Sequence, residues 1–285
     1  MGKHLLVTVS DQKSAMYGVK FVGNFFSNKE AIKVTLFYTA PKPPAVWKGE
    51  RTSNITTQEY EKKGRKAMET AKQELLRLSF KDEQIDMKLR PRMVSKADDI
   101  IQEGSQGLYD AVVLGRRGLS WIGEAIDGSV SKDILAKKFN FPFWLCRQPA
   151  LEQKNVLACV DGSDASYSMV DHVGFILGQE KNHEITLLVV KKNVSISRER
   201  IENIFAKSKE HLLNNAFPEK MVKTKTIENA NVAKAIISEA HKRQYAAVAI
   251  GRTGEGQGLL KKLFLGSVSN TLFGEMEEAS LWICQ

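Results

Sequence analysis

The amino-acid sequence repeats itself, and a repeat of this length leaves few folds open. Lys3-His4-Leu5-Leu6-Val7-Thr8-Val9-Ser10 aligns with Lys154-Asn155-Val156-Leu157-Ala158-Cys159-Val160-Asp161 at a shift of 151 residues, and Val34–Thr39 aligns with Ile185–Val190 at the same shift. Ala111–Arg116 then matches Ala247–Arg252 at 136, while Gly128-Ser129-Val130-Ser131 and Trp144-Leu145-Cys146 recur as Gly266-Ser267-Val268-Ser269 and Trp282-Ile283-Cys284 at 138. A duplication means one unit folded twice, so whatever architecture suits one copy must suit both. The drifting offset places the length changes: a longer loop after the second strand of half one, and two extra residues beside the glycines of half two.

Within each copy, short apolar β-branched runs alternate with segments of helical period. Val22, Phe25 and Phe26 match Val173, Ile176 and Leu177, which puts an apolar stripe on one side of a helix, and Ala67, Ala71, Leu75 and Leu78 do the same within a helix-like stretch from Tyr60 to Leu78. The strand runs are nearly continuous in hydrophobicity, as burial between two helical layers demands. The expectation is an α/β fold, a doubly wound parallel sheet covered by helices on both faces and built twice. At 285 residues the chain divides into two units of ordinary domain size, residues 1–150 and 151–285, with Pro149 as a linker marker. Pro41-Lys42-Pro43-Pro44 and Trp47 fall in the long loop of half one, read as a connector or as a lid.

Composition enters by exclusion. The longest apolar runs, such as His4–Val9 or Ala246–Ile250, stop far short of the roughly 20 residues a bilayer requires. The N-terminus has too short an apolar stretch for a signal peptide, and Leu6 stands where myristoylation wants Ser or Thr, so a cytoplasmic, membrane-free protein is expected. Cys146, Cys159 and Cys284 stand singly in strand-like runs and are read as reduced, buried thiols. His4, His172, His183, His211 and His241 form no metal-ligand spacing. The net charge of +9 is concentrated in half one, but its basic residues are mixed with acids and carry no nucleic-acid-binding signature, so specific nucleic-acid binding is not expected.

Parallel α/β sheets bind ligands at the carboxyl ends of their strands, which directs attention to the loops after the first and fourth strands. After the fourth strand of half one come Gly115 and Gly118, then nine residues, then Gly128-Ser129 leading into a helix expected over Val130 to Lys138. Glycines let backbone N–H groups approach phosphate oxygens, and a helix N-terminus adds donors and a favourable dipole. The alternative is structural, with Gly115 and Gly118 shaping a turn and Ser129 capping the helix.

Carried twice, this pattern resembles the universal stress protein family, whose mark is Gly-x2-Gly-x9-Gly-Ser/Thr after the fourth strand and an Asp closing the first. The resemblance covers nearly all of both halves. It implies two five-stranded parallel sheets of Rossmann-like type packed through their last strands as an intramolecular pseudo-dimer, with a further homodimer left open. It also implies an ATP site, with or without Mg²⁺, in which the first-strand Asp lies near the adenosine, a second-strand residue touches the base and the glycine loop holds ribose and phosphates. Half one keeps Gly115, Gly118, Gly128 and Ser129, but Ser10 occupies the Asp position, with Asp11 displaced beside it. Its loop also carries Glu124 and Asp127, which Arg116 and Arg117 are expected to offset. Half two keeps Asp161, with Gly162 and Ser163, and Val190 at the end of its second strand. Its glycine loop runs Gly251, Gly254, then eleven residues to Gly266 and Ser267, with Lys261 and Lys262 inside it and Glu255 its single acid. Charge and the intact Asp make half two the preferred adenine-nucleotide site.

Three function classes follow. The leading one is a nucleotide-binding stress-response regulator whose ATP occupancy alters the surface shown to a protein partner. The second is an interaction module of the same fold that has discarded nucleotide. The third is an enzyme, at most a weak ATPase: the phosphate loop Gly-x4-Gly-Lys-Ser/Thr is absent, and no motif supplies a base or metal ligands.

Overall fold

The computed structural model describes residues 2–41, 50–116, 130–147, 152–192, 196–252, 266–277 and 279–284, with the backbone alone at 50–56. In half one, strand β1 (Lys3–Thr8) leads to helix α1 (Met16–Phe25), β2 (Ile32–Ala40), α2 (Glu50–Arg77), β3 (Ile85–Pro91), α3 (Lys96–Gln106), β4 (Ala111–Gly115), α4 (Val130–Leu135) and β5 (Phe143–Cys146). Half two repeats the order with β6 (Val156–Cys159), α5 (Asp164–Leu177), β7 (Ile185–Lys191), α6 (Arg198–Asn214), β8 (Val222–Glu228), α7 (Val232–Arg243), β9 (Ala247–Gly251), α8 (Ser267–Glu275) and β10 (Ser280–Cys284).

Each half builds five parallel strands, and the two sets join into one ten-stranded sheet of order β3-β2-β1-β4-β5-β10-β9-β6-β7-β8. The repeat is exact in register: Leu5 pairs with Val34 and Ala111, and Val156 pairs with Ile185 and Ala247. The join is antiparallel, Leu145 opposite Leu281 and Trp144 opposite Trp282. Half one's strands therefore run opposite to half two's, and their carboxyl ends emerge at opposite margins of the common sheet. The outer strands carry Lys88, Arg90 and Pro91 on β3 and Lys223 and Lys225 on β8, residues that discourage further strand addition.

The core lies in two layers. On one face α1, α2, α5 and α6 bury Val22, Phe25, Leu75, Val173, Ile176 and Leu212 against the sheet; on the other, Ile100, Ile134, Ile236 and Leu272 do so from α3, α4, α7 and α8. At the junction the Trp144 and Trp282 rings stack with centroids 3.9 Å apart and planes 3° from parallel. The surroundings of this pair are not symmetric. Trp144 Nε1 donates to His172 Nε2 at 3.2 Å, whereas Phe21, at the place related to His172 by the repeat, meets Trp282 edge-on, and Trp282 Nε1 is buried without a partner among the described residues.

Two expectations need amending. The sequence places half one's extra length in a loop, yet α2 has 28 residues against 17 in α6, so much of it is helix. Its first turns are polar and gave no apolar period to read. Helix α4 ends at Leu135, three residues short of Lys138. The Pro-rich stretch beyond Pro41, Trp47 and Pro149 lie outside the described residues. Cys146 and Cys284 are free and buried, and Cys159 is free and half-buried.

Candidate functional site

In half two, β6 runs through Val160 into Asp161-Gly162-Ser163 and then directly into α5. Asp161 Oδ1 accepts hydrogen bonds from the Ser163 N–H at 3.0 Å and its hydroxyl at 2.6 Å. Ser163 Oγ in turn accepts from the Ser166 N–H at 3.2 Å as the helix N-cap. One Asp161 oxygen is thus committed to the turn that starts α5. Gly162 makes the reversal possible with φ at +85°, a conformation that strains any residue with a Cβ, and a Cβ there would lie 3.1 Å from Ile204 of α6.

The glycine motif begins beside this turn. A Cβ on Gly251 would stand 2.7 Å from the Ala165 carbonyl carbon and 2.9 Å from the Ser166 nitrogen, so the end of β9 packs directly on the first turn of α5. Gly115 occupies the matching place in half one, where a Cβ would fall 2.2 Å from the Ser14 carbonyl oxygen. Close backbone approach is therefore a sufficient reason for glycine at both positions. The same packing brings the motif's start against the first-strand turn.

Gly266 is the N-cap of α8 and offers no capping side chain. Among the described residues no side chain caps the first-turn N–H groups of that helix, an arrangement that suits an anion. Ser267 is exposed at the first helical position, and Val268 leans on the same buried cluster as Val190, Cys159, Ile227 and Val232. Residues at the ends of β6, β7 and β8 and at the starts of α7 and α8 thus all pack on the apolar cluster of that face of the sheet. Gly118, Gly128, Ser129, Gly254, Arg117, Glu124, Asp127, Glu255, Lys261 and Lys262 lie outside the described residues.

Half one is built differently at the same place. Ser10 Oγ only approaches the Gln12 N–H, at 3.4 Å, and a short 3₁₀ turn without a side-chain cap precedes α1. Asp11 accepts the Tyr38 hydroxyl at 2.9 Å. Burial and that carboxylate push the Tyr38 phenol well above its usual range. Arg92 and Lys96 stand beside this pair, where half two has Asn229 and Val232; burial, then Arg92, lowers the Lys96 ammonium, with Asp11 opposing.

Of the two arginines read as able to offset the loop acids, Arg117 lies outside the described residues and Arg116 is engaged elsewhere. Arg116 crosses to half two, stacks 3.6 Å over the centre of the Phe273 ring and donates to the Phe273 carbonyl. Arg252 crosses the other way, over Phe139 at 4.2 Å, with Nη2 donating to the Lys137 carbonyl at 2.5 Å and approaching that of Leu135 at 3.5 Å. Each motif arginine therefore caps the carboxyl end of the helix that the other half's motif begins. On the opposite face, Lys154 donates to the Asn24 and Phe25 carbonyls at the end of α1. The recurrence of Gly-Arg at a 136-residue shift was visible in the sequence. Its ring partners were not, because Phe139 and Phe273 are not repeat-related.

Among the described residues no group of three or more His, Cys, Asp or Glu is arranged to hold a metal, and no helix is long and apolar enough to cross a membrane.

The universal stress protein family model matches twice, over residues 1–147 and 152–277. Curated proteins yield no match. Among solved structures, a universal stress protein from Archaeoglobus fulgidus superposes with a TM-score of 0.72 at 14% identity, covering 99% of this chain and 98% of that one. A protein assigned as a universal stress protein from Pseudomonas aeruginosa gives 0.59 at 11%, and a functionally unknown protein from the same species gives 0.56 at 12%, each covering 99% of this chain and 92% of the other. At such identities the likeness concerns the fold, while the doubled family match extends over most of the sequence. With two such units in register on one sheet, the chain belongs to the universal stress protein family as a tandem, two-repeat member.

Proposed function

We propose that the protein is an adenine-nucleotide-binding stress-response regulator whose site lies in the C-terminal half and whose ATP occupancy alters the surface presented to a protein partner. One observation carries this reading: Gly251 packs the start of the glycine motif against the Asp161-Gly162-Ser163 turn, at the carboxyl margin where α8 begins at Gly266, an N-cap with no capping side chain of its own. In it, the apolar wall around Val190 takes the base, the Asp161 carboxylate faces the sugar, and the first-turn N–H groups of α8 take phosphate, with Ser267 beside them. Gly115, Gly118, Gly128 and Ser129 form the weaker counterpart in half one, where Ser10 cannot reproduce the Asp161 turn.

The test is nucleotide retained on purification, identified by chromatography, with affinity from calorimetry. Gly266→Val is compatible with the N-cap backbone, φ −61° and ψ 162°, and is expected to abolish retention. Asp161→Asn, which keeps an acceptor for Ser163, weakens it, and Ser10→Ala leaves it unchanged. No binding of ATP, ADP or AMP at millimolar concentration refutes the proposal. That result would favour a second reading, an interaction module without nucleotide, which the structural duties of Gly115, Gly251, Arg116 and Arg252 support.

A further inference from the structure

The carboxyl margin of half one holds two cations that no described residue neutralises by direct contact. Arg92 follows β3, its N–H bonded to the Ala40 carbonyl at 2.8 Å, and Lys96 is the first residue of α3. Both are half-buried, and among the described residues neither side chain has a hydrogen bond or an ion pair; Arg92 Nε is shielded from solvent without an acceptor. The acids of the same segment have other partners. Asp98 binds Lys137 and Ser95, Asp99 is buried under the Met93 and Val94 N–H groups, and Glu103 pairs with Lys88 and Arg90. Asp11, the nearby counter-charge, is exposed and receives the Tyr38 hydroxyl on Oδ1. Shielded, unpaired cations are costly in a folded protein, and such a group calls for an acceptor.

We propose that Arg92 and Lys96, with Asp11 beside them, form a second ligand site in half one that takes a phosphomonoester carried on a hydroxyl-bearing body. A planar guanidinium and an ammonium together match a phosphate dianion. A bare anion would meet the Asp11 charge, whereas a ligand hydroxyl donates to it. The site's two cations stand at the end of β3, on the outer edge of the sheet, whereas the glycine motif leaves β4, three strands away in the order β3-β2-β1-β4, with Asp11 between them. The site is also peculiar to half one, since Asn229 and Val232 stand at the corresponding places of half two. It does not rest on the nucleotide reading.

Calorimetry on the full chain with ribose 5-phosphate and with inorganic phosphate tests it. Saturable binding of one ribose 5-phosphate per chain is expected, tighter than inorganic phosphate. Arg92→Gln and Lys96→Gln each weaken both probes by about 10- to 100-fold. Asp11→Asn weakens ribose 5-phosphate and tightens inorganic phosphate, and Asn229→Ala changes neither. Because Arg92 and Lys96 have no side-chain partner among the described residues to lose, both variants retain the wild-type melting temperature; were one to misfold, the other decides. Gly266→Val, which addresses the half-two nucleotide site, leaves ribose 5-phosphate binding intact, so the two proposals fail separately. Absence of saturation by about 10 mM ribose 5-phosphate, or equal binding by the Arg92 and Lys96 variants, overturns the assignment.

Discussion

Replacing Arg252 by alanine cuts one of the two crossed links between the halves. The side chain is 5% exposed and supplies a charge-assisted hydrogen bond to the Lys137 carbonyl, at the carboxyl end of α4, plus a stacked contact with Phe139. Such a hydrogen bond contributes about 1.5–3 kcal/mol and a desolvated cation–π contact about 2 kcal/mol. Truncation also relieves the buried, unpartnered Nε, an offset of about 1 kcal/mol. The net loss comes to about 2.5–4 kcal/mol. With about 2.1 cal/mol/K of unfolding entropy per residue over 285 residues, a single cooperative transition should fall by about 4–7 °C. Arg116→Ala costs less, because Arg147 also donates to the Phe273 carbonyl, at 3.1 Å, and keeps that helix end capped. Thermal melts followed by circular dichroism, with urea titrations to confirm an unchanged m-value, measure both variants. A shift under about 1 °C for Arg252→Ala, or a larger one for Arg116→Ala than for Arg252→Ala, would refute the reasoning.

Glycine positions separate packing from propensity. Gly251→Ala drives a Cβ into Ala165 backbone at 2.7 Å and should cost about 1–3 kcal/mol, and Gly115→Ala, at 2.2 Å from Ser14 oxygen, more. Gly274→Ala in α8 meets nothing within 4 Å and should stabilise by about 0.5–1 kcal/mol; urea midpoints that reverse this order contradict the packing account. His183 supplies a pH dependence. It is fully buried, with Nε2 3.0 Å from the Phe25 carbonyl, and burial, then the Lys154 ammonium, push it down to about 4 from 6.5. The unfolded chain takes the proton first, so this stability is whole above pH 6.5 and declines as pH falls towards 4, at up to about 1.4 kcal/mol per pH unit. His183→Gln keeps a donor for that carbonyl and should flatten the acid limb by that slope; an unchanged limb excludes His183 as its source.

The architecture was readable because a repeat reports register directly: equal shifts of 151 residues for β1 and β2 mean that β6 and β7 pair as they do. The same argument located Gly115 and Gly251, but not their duty, since the backbone they must clear lies in α1's approach and in α5, far off in sequence. Asp161 was placed at its strand end, and its bond to its own turn follows from local Asx chemistry. Arg92 and Lys96 escaped notice for a physical reason. Charged residues in a basic half look like a solvated face, and only folding shows that their neighbouring acids are engaged elsewhere.

The antiparallel seam between β5 and β10 has an evolutionary corollary. In a pair of identical subunits every substitution is imposed twice, so a change that helps one side must be tolerated by its mirror image. Here both sides are encoded once each, and the seam already shows the freedom this confers: His172 opposite one tryptophan, Phe21 opposite the other. A scaffold that carries its own mate can let one margin drift towards new chemistry while the other is held constant, without dissolving the partnership that keeps both folded.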